Sequence, residues 1–147
     1  MPSTLAAAQV LGIAIMSQMN AAFERPVRDI EARCGTQTNC SGMAQILADI
    51  EPAAGFEFID AHDGAWTGSC EDELVDRCVA AVRRGVLDEL TRVGGGKVPA
   101  VRFVLRRVWV HPVDSAESRN EAVGRIAITR AVQRLTEPAS STTHLGP

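Results

Sequence analysis

Between Glu71 and Val93 the apolar residues Leu74, Val75, Cys78, Val79, Val82, Val86, Leu90 and Val93 recur at steps of three and four. That period places one apolar stripe along a helix of about six turns. Gly94–Gly95–Gly96 stops the helix at once. A striped helix this long must bury its stripe against a second layer. The following segment supplies one. In "VPAVRFVLRRVWVH" the residues Val101, Phe103 and Leu105 alternate with Arg102, Val104 and Arg106, the period of a strand. The pair Arg106–Arg107 breaks the alternation, which predicts a bulge or a twist there.

Three further strands are predicted upstream: Pro26 to Cys34, "MAQILADI" over 43–50 closed by Pro52, and "GFEFID" over 55–60. "GTQTNCSG" over 35–42 and "AHDGAWTGSCED" over 61–72 read as loops. A second helix is predicted over 115–135, with Asp114 and Ser115 as its caps and Asp114–Glu117 in the form of a capping box. Val123, Ile126, Ala127 and Leu135 supply its stripe. The order β-β-β-α-β-α gives an α+β domain, a β-sheet with two helices packed on one face. Its expected core brings together Leu74, Val82, Val86, Phe103, Ile126 and Ala127. Residues 1–24 are apolar and rich in Ala and Met, compatible with a helix or with a buried strand, and their role is unknown. Residues 138–147 read as a flexible tail.

The 147 residues suit one domain, and 46% hydrophobic with 22% charged residues is globular composition. The longest apolar stretch, Val10 to Met16, is far short of the ~20 residues a membrane helix needs. The first basic residue is Arg25, which argues against a secretory leader and for a cytoplasmic location. A net charge of −3 argues against a protein whose main affinity comes from coating a nucleic-acid backbone, while leaving room for a local basic patch. Fourteen of the fifteen basic residues are Arg, a bias that GC-rich coding explains more simply than chemistry does.

Little in the chain points to a reaction. Cys34, Cys40, Cys70 and Cys78 are spaced C-x5-C and C-x7-C, outside the zinc and redox patterns, so reduced thiols and no metal are expected. "VGGGKV" lacks the Ser or Thr of a phosphate loop and lies between a helix and a strand, the reverse of the required order. His62, His111 and His144 form no metal-binding spacing. Ser41 lacks a nucleophile elbow, and Glu71–Asp72–Glu73 sits where acids suit a helix N-terminus. No enzyme activity, cofactor or metal is expected.

"GFEFID", Gly64, "VAAVRRGVLDEL", "VPAVRFVL" and "HPVDSAES…EAVGRIAITRAV" occur in one order and spacing. With "ERPVRDIEA" and "SGMAQILADIEP" upstream, the chain resembles domain IV of elongation factor G and related translational GTPases over about residues 24–137. "ERP" is similar to the tetracycline-resistance ribosomal protection proteins. The resemblance implies a ribosomal protein S5 domain 2-like fold with a left-handed βαβ crossover. It also implies an arm whose tip carries two loops that contact tRNA and mRNA at the decoding region. His111, in the HxVDS string, matches the tip histidine of one loop, and Gly35–Gly42 occupies the place of the other. Two features depart from the family. The 35–42 loop has no basic residue, and the usual "GGVIP" is "GAWTG" from Gly64 to Gly68. No GTPase domain is present in the sequence, so the chain reads as a fragment, a partner of a separate protein, or a domain put to another use.

The leading expectation is therefore a non-enzymatic RNA- or ribosome-binding module. Arg102, Arg106 and Arg107, with His111 beyond them and Asn39 in the other loop, are its candidate RNA-binding residues. They should sit at one exposed end, and few phosphate contacts should give weak, steeply salt-dependent binding. Trp109 offers a stacking face if exposed. The alternative is a protein-interaction or regulatory module that kept the fold and lost RNA binding, with a separate protein as partner. A small-molecule kinase has only fold analogy behind it.

Overall fold

A computed structural model describes residues 23–36 and 42–137, with strands β1 (Val27–Gly35), β2 (Met43–Pro52), β3 (Glu57–Asp60) and β4 (Val101–Val108) and helices α1 (Asp72–Val93) and α2 (Glu117–Thr136). Asn39, the 138–147 tail and all of the N-terminal apolar segment before Phe23 lie outside the described residues.

The sheet order is β1-β2-β4-β3. The pairs β1–β2 and β2–β4 are antiparallel, and β3 runs parallel to β4, joined to it through α1. The inward residues of the sheet are apolar: Ile30 and Ala32 on β1, Ala44, Ile46, Ala48 and Ile50 on β2, Val101, Phe103 and Leu105 on β4. They form one core with Val82, Val86 and Leu90 of α1 and Val123, Ala127 and Ile128 of α2. The chain thus has the α+β architecture its sequence order predicts, consistent with a ribosomal protein S5 domain 2-like fold. Phe103 is fully buried at the centre, its ring stacked on Phe58 with centroids 5.5 Å apart. Burying a side chain of that size contributes about 1.5–3 kcal/mol. Leu74 and Ile126, expected in the same core, lie only half-buried at its margin, because each sits one position off the inward stripe.

Two glycines set the spacing of the helices. A Cβ on Gly85 of α1 would lie 1.9 Å from the Glu121 carbonyl oxygen, and one on Gly124 of α2 would lie 2.4 Å from that of Val82. The helices therefore touch backbone to backbone, which no larger residue permits. The free edge of β1 is covered by side chains. Arg134 of α2 donates to the Arg28 and Asp29 carbonyls, and Arg25 donates to the Arg134 and Leu135 carbonyls. An edge tied down in this way offers a poor template for another strand.

Both irregularities of the sheet lie on the open face. Ala48 pairs with Leu105 and Leu47 with Arg107, so Arg106 is the extra residue of a bulge where the broken alternation predicts one. A second register shift between Val27 and Ile30 is not anticipated by the pattern. There Asp29 takes φ 55°, and its N–H donates to the Asp49 carboxylate at 2.9 Å.

Candidate nucleic-acid interface

Strand alternation sends every second residue of β2 and β4 away from the helices. The outward residues of β2 include Asp49 and Glu51, and those of β4 include Arg102 and the bulged Arg106. Antiparallel register sets Glu51 opposite Arg102, and the parallel pairing sets Glu57 of β3 opposite Arg102 from the other side. The result is a continuous run of ion pairs. Arg102 donates to Glu57 at 2.5 Å and to Glu51 at 3.2 Å. Arg28 bridges Glu51 at 3.0 Å and Asp49 at 3.6 Å. Arg106 closes the run on Asp29 at 2.5 Å and Asp49 at 3.2 Å. Three cations thus face four carboxylates. Hydrogen bonds from Arg102 and then Arg28 hold Glu51 below the ordinary carboxylate range. The Arg106 guanidinium is held more firmly charged by Asp29 and then Asp49, and Arg102 by Glu57 and then Glu51. A phosphate approaching this face must first displace carboxylates already in place.

The opposite end of β4 is built differently. The Trp109 N–H donates to the Gln45 carbonyl, and the Val110 N–H donates to the Trp66 carbonyl in the 61–70 loop. Arg107 donates from Nε to Asp63 at 3.0 Å and lies over the Trp66 ring, 5.6 Å from its centroid. Asp63 is held below its ordinary range first by the Ala65 N–H and also by Arg107. The His111 ring stacks on Trp109, with centroids 5.7 Å apart and planes 8° apart.

The turn from His111 to Ser115 is closed by its own side chains. The Ser115 hydroxyl accepts the His111 N–H at 2.9 Å, and His111 Nδ1 accepts the N–H groups of Val113 and Asp114, both at 3.2 Å. The Asp114 carboxylate is 3.3 Å from the same Nδ1. A nitrogen that accepts two N–H groups carries no proton to share, so this contact is not an ion pair while the ring is neutral. Asp114 and Ser115 do not cap α2. Its N-cap is Ala116, which makes no side-chain cap, because both predicted capping groups face back into the turn.

The two predicted tip loops meet at this end. The Met43 N–H donates to the Asp114 carbonyl at 2.9 Å. Gly42, at φ +90°, approaches so closely that a Cβ there would lie 2.5 Å from the same oxygen. Of the predicted site residues, His111 and Arg107 lie at the end where the 35–42 loop is anchored. Arg106 is farther down β4, and Arg102 lies opposite Glu51 at the far end. Asn39 lies outside the described residues. Trp66 was not singled out by the sequence reading. Its signal was the replacement of the usual "GGVIP" by "GAWTG".

Nothing at either end forms a metal centre: among the described residues no group of three or more His, Cys, Asp or Glu could hold one. Burial pushes the Cys78 thiol up, which suits a packing role on α1. No helix among the described residues is long and apolar enough to cross a membrane.

No family model matches the chain. No curated protein matches it either. Solved structures do. A crystallised protein of Thermus thermophilus aligns over 76% of this chain with a TM-score of 0.54 and 15% identity. The chain spans only 17% of the length of that protein. At this identity the likeness concerns the fold alone, and the chain is an α+β domain that also occurs within a much longer protein.

Proposed function

We propose that the domain is a non-enzymatic recognition module for structured RNA or the ribosome, and that it works through the end carrying His111, Trp109, Trp66 and Arg107. The resemblance to domain IV of elongation factor G supports this reading, because that family uses two loops at one end of the same architecture. The observation that carries it is the Met43–Asp114 hydrogen bond, which joins the 35–42 loop to the His111 turn. Aromatic faces beside one arginine suit unpaired bases, which stack for about 1–3 kcal/mol each. The ion pairs of Arg102 and Arg106 remove them from the expected contact set. With Arg107 as the main cation, binding should be weak and only shallowly dependent on salt, in place of the steep dependence expected from three arginines.

Titration of labelled small-subunit RNA with the purified chain tests the reading. Saturable binding weakened by Trp66→Ala and Arg107→Ala supports it. Absence of binding at low salt removes it. A protein-interaction module is then the reading left, favoured by the self-neutralised sheet face, on which Ile59 stands 41% exposed.

A further inference from the structure

We infer that His111 is fixed as the neutral Nε2–H tautomer and presents that single N–H to a hydrogen-bond acceptor on the RNA; the partner rests on the function proposed above, the tautomer does not. Three contacts carry the inference. Val113 and Asp114 both donate to Nδ1, so Nδ1 must hold a lone pair and the proton of the neutral ring must sit on Nε2. The ring plane is set by Trp109, against which it lies nearly parallel. Nε2 has no partner among the described residues, and the side chain is 43% exposed. The donor is thus oriented before a partner arrives, and little rotamer freedom remains to be lost on binding.

The molecule contains its own contrast. His62 Nδ1 lies 2.5 Å from the Asp60 carboxylate, which accepts only from a protonated nitrogen. His62 therefore carries its proton on Nδ1, where His111 carries none. A neutral donor also suits an end with few cations. It recognises an oxygen or ring nitrogen by geometry, and it releases no counterion when it does so.

Long-range proton–nitrogen spectra of the full chain, recorded where both rings are neutral, give the first readout. The expected result is an Nε2–H ring at His111 and an Nδ1–H ring at His62. An Nδ1–H ring or a rapid mixture at His111 overturns the proposal without touching the RNA reading. The second readout separates the two nitrogens. In His111→Asn the side-chain carbonyl can replace Nδ1 and keep the turn, as the Val113 and Asp114 amide signals will report, but no donor reaches the Nε2 position. Loss of one such hydrogen bond should weaken small-subunit RNA binding by about tenfold. His111→Gln, whose amide reaches the Nε2 position, should recover part of that loss. His111→Asn binding as tightly as the wild type overturns the donor role. A wild-type chain that binds no RNA overturns the partner together with the function above, and the spectra then decide the tautomer alone.

Discussion

The two ends of β4 carry similar chemistry in sequence and opposite chemistry in space. At the Arg102 end, outward arginines meet outward carboxylates on both neighbouring strands, and charge is neutralised within the sheet. At the His111 end, backbone N–H groups and aromatic rings do the holding, and a nitrogen is left facing outward. The difference teaches that an arginine in a strand is a phosphate ligand only if the facing strands leave it unpaired. Exposed ion pairs of this kind contribute little to stability. They do fix what the face can bind.

The comparison breaks first if the sheet itself is lost, so the largest expected effects are in the core beneath both ends. Phe103→Ala should destabilise the domain by about 3–5 kcal/mol, read from chemical denaturation, because it empties the space between Phe58 and the helices. Gly85→Ala should cost about 1–3 kcal/mol by forcing α1 from α2, despite the ~1 kcal/mol that alanine gains in helix propensity. Unchanged stability in Gly85→Ala would mean that the helices are not in backbone contact.

Acid sharpens the comparison. Glu51, Asp63 and Glu89 are all held below their ordinary range, the last by the Arg92 hydrogen bonds. Each binds protons more weakly folded than unfolded, so its contribution is whole above about pH 4–4.5 and drains as pH falls through the lower folded value. Arg102→Ala should return Glu51 toward its ordinary value and remove part of that acid sensitivity. A denaturation midpoint followed against pH in both proteins checks this, and identical acid limbs would break the assignment. The smallest effect belongs to Arg106→Ala at neutral pH, which should move the midpoint far less than Phe103→Ala.

The layers were legible in the sequence because burial repeats. The α1 stripe and the alternation of Val101, Phe103 and Leu105 each follow from a single period, and the break at Arg106–Arg107 marked a bulge that is present. Leu74 and Ile126 show where that logic thins, since a stripe's edge residues share its period without sharing its burial. The ion-pair run was not legible because it depends on register across three strands. Only when Glu51 is known to face Arg102 does either charge acquire its partner. The capping box failed for a related reason. D-x-x-E is a local pattern, and His111 and Ser115 close a different local turn over the same residues.

The dependence of RNA affinity on salt tests most directly which end of β4 is the working surface. The wild type and Arg102→Ala/Arg106→Ala would be titrated with the same small-subunit RNA across a range of salt. An end relying on Arg107 and neutral donors predicts a slope of log K against log salt of about −1, the same in both proteins. A slope of about −3 that flattens in the double variant would show phosphates neutralised along the strand, and would contradict the account.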